Sequence, residues 1–408
     1  MRPRHTQHLL PAFPVHSLAF VAPNQLVVGG GGGSSRSGIK NKLRLYTIDS
    51  ERGIDAKNEF ELEDAPTSMA IDLQATMTVI CGINSSPEKI LKGENENCRV
   101  FRIKDDAFHP DMTRGTLPAD EEDYQKVTVL SPDRKLLAVA GCHNLSLLSF
   151  PSLTPVAPPI EFEKEIYDAT FSNTSETVRF RLLRQLVVAT THNIHVYSVS
   201  MGAPTSSPKK GKGKGKANKS VETLGSLELV RSVDLPSNLG GAGACTFRSA
   251  RYHPSDDDTL YTVINTSPPR ARGRKTPARQ GYVSKWNTQT WTVEKQRKVG
   301  DKGLTTFDVS RDGRFLGYGS SDLSIGMLDS KTLSPLGAIL KAHEFPPTAI
   351  KFNPTTDLLV SGSADNSLRI VTIPEVVGGS SWTLIILVLV AVLVILVAVA
   401  VQNGYLSW

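Results

Sequence analysis

Apolar and polar residues alternate in short runs from about residue 18 to residue 373, and Gly, Asp, Asn or Pro closes each run. The clearest copies are FDVSRDGRFLGYGSSDLSIGMLD from Phe307 and IKFNPTTDLLVSGSADNSLRIVTI from Ile350. Each has an apolar pair, a turn (Arg311-Asp312-Gly313 or Pro354-Thr355-Thr356-Asp357), a strand ending in Gly and Ser, and Asp322 or Asp365 opening the next strand. Period-two runs punctuated in this way predict antiparallel hairpins: β-branched residues suit strands, and the punctuating residues supply turn dihedrals. On this reading Asp312, Asp322 and Asp365 are turn acceptors rather than acid–base partners.

Weaker copies start near Leu18, Met69, Val127, Ala169 and Ala250, which makes seven units. A repeat of about forty residues with three or four short strands is the pattern of a propeller blade. The expected fold is all-β, a seven-bladed β-propeller over residues 1–374. Its last unit stops at Ile373 with three strands, so a strand around His8 to Leu10 is expected to complete that blade and tie the chain ends together.

One stretch abandons the alternation. Trp382 to Val401 reads WTLIILVLVAVLVILVAVAV, twenty residues without a charge. As a helix it is about 30 Å long, the thickness of a bilayer's hydrocarbon core. A single transmembrane α-helix is therefore expected over 382–401, after a juxtamembrane linker at 375–381 and before a short lumenal tail at 402–408. The linker region from Pro374 to Ser381 reaches at most about 28 Å, which would keep the propeller near the membrane. The N-terminal MRPRHTQHLL has no apolar core of a cleaved signal, so the propeller is expected in the cytosol.

Charge adds little once it is mapped. The formal net charge is +6, but eleven cations lie in two tracts, PTSSPKKGKGKGKANKS and SPPRARGRKTPAR, and without them the remainder carries −5. Both tracts, at about 202–220 and 267–280, have the composition of solvated insertions between strands. No nucleic-acid partner is expected from them; that rival reading requires steep salt dependence and loss on deleting Ser207 to Lys219. The four cysteines, Cys81, Cys98, Cys142 and Cys245, form no C-x-x-C pair and are read as small buried hydrophobes.

Gly29 to Gly33 is a run of five glycines continuing as SSRSGIKNK to Lys42. It lacks the spacing of a P-loop or of a dinucleotide fingerprint. About fourteen residues thus join two strands that two to five ordinarily connect. Ordering five glycines costs several kcal/mol by a rough sum, and a cation gathered by converging carbonyls is one way to offset it. The alternative is that Gly29 and Gly30 simply end an inner strand beside a crowded channel. His192 and His195 fall on opposite faces of a strand, and His143, His253 and His343 have no companion nucleophile, so no small-molecule substrate or covalent enzyme chemistry is expected.

A cytosolic seven-bladed WD-repeat propeller, an oversized glycine loop in its first blade and one C-terminal span resemble the Sec-twelve exchange factors. The distinctive segment is GGGGGSSRSGIKNKL, Gly29 to Leu43; DAPTSMA at Asp64 and the stretch from AHEFPPTAIKFNP to SGSADNSLRI support it. The resemblance implies a guanine nucleotide exchange factor that activates a Sar-type small GTPase at the endoplasmic reticulum membrane, starting coat complex II vesicle assembly and transport to the Golgi. It implies that Ile39 and Asn41 act on the GTPase, and that Gly38, Lys40, Pro66 and His343 lie on the contacting face. It also implies a potassium ion ordering the loop through Gly31, Gly32, Gly33, Gly38 and Asn41. Some family members carry a long lumenal domain with a retrieval signal, which the seven-residue tail departs from. A membrane-tethered scaffold without exchange activity is the competing reading.

Overall fold

A computed structural model describes residues 4–402 except 36, 74–76, 119, 121, 174–175, 179–180, 201–224, 237–238, 240–243, 268–278 and 375–381. Residues 1–372 form one compact unit, and 373–408 form another. The first unit holds seven antiparallel sheets, each built on four strands. Their inner strands are Val15–Ala22, Ser68–Asp72, Val127–Leu130, Ile166–Phe171, Ala244–His253, Leu304–Val309 and Pro347–Phe352. Each inner strand contacts the next, and Pro347–Phe352 returns to Val15–Ala22, so the ring closes. All seven units expected from the sequence are therefore blades. The fourth carries an additional short strand, Glu176–Val178.

The strand period explains how the blades stack. On Gln25–Gly30, Leu26 and Val28 pack with Val360 and Ile370 of the seventh blade, whereas Val27 packs with Val79 and Phe101 of the second. Successive side chains leave opposite faces of a strand, so a run apolar on both faces fits between two blades. Cys81 and Cys98 follow the same rule and belong to different inter-blade clusters.

The closing strand is His5–Leu9, paired antiparallel with Ser367–Thr372. It begins three residues earlier than expected. Arg369 sets that register by bonding His5 Nδ1 at 2.9 Å and Gln7 Oε1 at 2.8 Å. The two basic tracts lie almost wholly outside the described residues, but their flanks behave as insertions should: Ser200 pairs with Ser226, and Thr266 with Gln280.

Among its described residues the second unit contains one helix, Trp382–Gln402, over the stretch where a transmembrane helix is expected. Its side chains are described at 386–399 and 401–402, where all are exposed. Among the described residues no helix is long and apolar enough to cross a membrane.

Candidate functional site at the channel mouth

The glycine run divides into two parts with different physical causes. Gly29 and Gly30 end the strand Gln25–Gly30, and the next strand starts at Asn41, so the free loop is the ten residues 31–40 rather than about fourteen. A Cβ on Gly29 would lie 2.6 Å from Met69 Cε and 2.7 Å from Pro66 Cβ. That glycine is required by the close approach of the second blade. Beyond it the requirement is conformational: Gly31, Gly33 and Gly38 have φ of +140°, +67° and +76°.

The loop is held by side chains rather than left loose. His16 Nε2 bonds the Gly31 carbonyl at 3.0 Å, and Ser35 Oγ donates to the Gly32 carbonyl at 2.5 Å. Asn41 Oδ1 accepts from the Gly33 N–H at 2.8 Å while its Nδ2 donates to the Gly33 carbonyl at 3.0 Å and to the Glu63 carbonyl at 3.2 Å. The Glu63 carboxylate in turn accepts from Lys89 at 2.7 Å and Arg99 at 2.6 Å. Burial would raise that carboxyl, but these two cations outweigh it and hold it below the usual range. Asp64 is the opposite case: burial raises it, and the Ala65 N–H only partly compensates.

The loop stands at one end of the central channel. A cavity of about 700 Å³ is lined by residues of all seven inner strands and by Gly32, Gly33, Ser34, Asp64, Tyr124 and Pro346 at its mouth. Lys40 is exposed and pairs with Glu61 at 2.9 Å. Ile39 is half-buried, with its Cβ 3.2 Å from where a Cβ on Gly32 would sit. Gly38 is exposed, and a Cβ added there would meet nothing within 4 Å.

Three expected site residues sit elsewhere than on an open surface. Asn41 is 7% exposed and its amide is engaged inside the loop, so it shapes the loop rather than touching a partner. Pro66 is buried against Gly29, and its carbonyl accepts from Ser17 Oγ at 2.6 Å. His343 is buried in the seventh blade, bonded to Ser367 Oγ and Ser361 Oγ at 2.8 Å each and 3.3 Å from Asp365. Asp365 also accepts the Ser367 N–H, as the turn reading requires; Asp312 and Asp322 likewise accept from Arg314 and Ser324. Sequence reading missed Glu63 and His16, whose importance comes from distant chain segments meeting at the loop.

The potassium ion implied by the resemblance needs hard oxygen donors. The loop supplies them: the carbonyls of Gly31, Gly32 and Gly33 each accept one hydrogen bond and keep a second lone pair, and the desolvated Asp64 carboxylate lies beside Gly33. These are the oxygen types such a cation takes, whereas the expected Asn41 oxygen is already engaged by the Gly33 N–H.

Seven blades, the closing strand and the buried His343–Asp365–Ser367 cluster define a WD-repeat β-propeller, and residues 334–371 match the model of the WD domain, G-beta repeat. The chain is similar to the guanine nucleotide-exchange factor SEC12 of Candida glabrata, 23% identical over 91% of this chain and 73% of that protein. It is 21% identical to the mouse protein of the same name, over 92% of both, and 26% identical to SEC12-like protein 2 of Arabidopsis thaliana, over 32% of this chain and 30% of that one. This is a WD-repeat β-propeller that is similar, over most of its length, to proteins named as SEC12 exchange factors.

Proposed function

We propose that this protein is a guanine nucleotide exchange factor for a Sar-type small GTPase, working at the endoplasmic reticulum membrane at the start of coat complex II assembly. The relatives named as SEC12 exchange factors, similar over nearly the whole chain, support the activity. The observation that carries the site is the loop itself: a ten-residue connection, exposed at Ser34, Ser35, Ser37, Gly38 and Lys40, fixed at its base by Asn41 and His16. A small GTPase grips its nucleotide through the P-loop, Mg²⁺ and two switches. A surface that binds the nucleotide-free shape more tightly lowers nucleotide affinity by the same factor, with no covalent step.

In this reading Ile39 is the apolar element pressed onto the GTPase, Lys40 flanks it, and Asn41 keeps the loop in the binding shape. Potassium, when bound, supplies a positive charge that gathers the Gly31 to Gly33 carbonyls. His16, Ser35 and Asn41 already orient those carbonyls from the protein side. The uncharged run Trp382 to Val401, helical over Trp382–Gln402, supports a single membrane span. Release of labelled GDP from a Sar-type GTPase by the full chain in detergent micelles tests the activity. Acceleration in potassium buffer and a loss in sodium buffer is expected; no acceleration in either favours the scaffold reading.

A further inference from the structure

The second blade has a long connection of its own. Residues 83–97, fifteen in all, link the strands Met77–Gly82 and Cys98–Lys104, where two to five would suffice. The segment is polar yet firmly built. Asn84, Ser85, Asn95 and Asn97 are all buried. Asn95 Oδ1 accepts from the Ser85 N–H at 3.0 Å, and its Nδ2 donates to Asn84 Oδ1 at 3.2 Å. Asn84 Nδ2 donates to the Asp123 carbonyl at 2.9 Å, and Asn97 Nδ2 to Gln125 Oε1 at 2.7 Å. Buried amides that lose such partners cost about 1–3 kcal/mol each, so this network holds the connection in one shape.

What the network presents is Leu91. A short helix, Pro87–Ile90, buries Ile90 at 4% exposure, and the next residue, Leu91, is 79% exposed. A lone exposed leucine is ordinary on a protein surface. This one differs because its support is rigid and because the connection is joined to the glycine loop. Glu63 makes that joint: its carboxylate holds Lys89 and Arg99, while its carbonyl holds Asn41.

We infer that the connection at 83–97 is a second docking element for the same GTPase, with Leu91 as an apolar anchor on a segment joined through Glu63 to the loop that carries Ile39. The inference rests on the exchange reading above. The shared Glu63 keeps the spacing of the two elements fixed, so one partner surface meets both without reordering either, and rigid anchors of this kind lose little entropy on binding. The occupant is the nucleotide-free GTPase of the exchange reading, because Glu63 joins this connection to the base of the loop that meets it.

The test uses the full chain in detergent micelles, a Sar-type GTPase stripped of nucleotide, and the Leu91→Ser variant. Leu229→Ser is the control, since Leu229 is 55% exposed on the outermost strand of the fourth blade and does not line the channel cavity. Leu91→Ser is expected to bind the GTPase at least fivefold more weakly and to slow nucleotide release, with its melting temperature unchanged, while Leu229→Ser matches wild type. Wild-type release together with wild-type binding by Leu91→Ser overturns this inference and leaves the exchange reading standing. Equal losses in both variants overturn it as well. If the unaltered protein releases no nucleotide, the exchange reading falls and takes this inference with it.

Discussion

Asn41 holds Gly33 by both ends of one amide: Oδ1 takes the Gly33 N–H and Nδ2 gives to the Gly33 carbonyl. The strand that begins at Asn41 therefore clamps the glycine that turns the loop back, and a loop with four glycines at 31, 32, 33 and 38 acquires a fixed base. Replacing Asn41 by Ala leaves the Gly33 N–H without that acceptor, at a cost of about 1–3 kcal/mol. The loss falls on the loop rather than on the blades. Asn41→Ala is expected to slow nucleotide release while the seven-bladed unit melts cooperatively; release at the wild-type rate would show that loop shape does not matter to exchange.

Ile39 is predicted to act differently, since it is half-buried beside Gly32 in the loop itself and is not among the buried core residues of the blades. Truncating a central interface anchor typically costs 2 kcal/mol or more, about thirtyfold in affinity. Ile39→Ala should therefore weaken binding of the nucleotide-free GTPase by about that factor and leave thermal stability unchanged. A titration showing equal affinities for the two proteins would remove Ile39 from the interface.

The contrast between these residues indicates what a linear sequence discloses. Blades were legible because strand period and turn residues are local, as the inner strands at Val127–Leu130 and Leu304–Val309 illustrate. The glycine loop was legible as an anomaly of length and composition. Its fastening was not: Glu63 and His16 reach it from other segments, and nothing in their neighbours marks them. His343 and Pro66 were misplaced for a related reason. Both lie in connections between blades, but only the packed structure shows that His343 points into the Ser361, Asp365 and Ser367 cluster and that Pro66 covers Gly29. The closing strand was found in kind and shifted in register, because Arg369 selects partners that periodicity cannot rank.

Buried His343 gives the propeller a pH dependence of definite sign. Burial lowers its pKa below the ordinary histidine value, with Asp365 opposing and Arg369 assisting that shift. The unfolded chain then takes up a proton at a pH where the folded protein does not. The stability this group contributes is complete above about pH 6.5 and is lost as pH falls toward the lower folded value. Half-buried His195 acts in the same sense, whereas the lowered carboxyl of Glu63 titrates in more acid solution. Melting temperature should fall between pH 7.5 and 5.5, and fall less steeply in His343→Gln. Parallel profiles for variant and wild type would assign the acid sensitivity to other groups.

The last prediction concerns how the ring stays shut. Arg369 is 7% exposed and donates from three nitrogens: Nε to the Ala342 carbonyl at 2.7 Å, Nη1 toward His5 Nδ1, and Nη2 to Gln7 Oε1. Its guanidinium thereby joins the connection before the seventh blade to the N-terminal strand that completes it. Arg369→Met keeps much of the aliphatic bulk but abandons those acceptors, for a loss of about 2–3 kcal/mol. Because the weakened element is an outermost strand with one free edge, the loss should appear first as local opening at His5–Leu9. Hydrogen exchange at Thr6 and His8, whose N–H groups face Ser367–Thr372, should accelerate more than tenfold relative to Val27 and Val28 in the first blade. Uniform acceleration across the blades would mean that Arg369 supports the whole ring and not its closure alone.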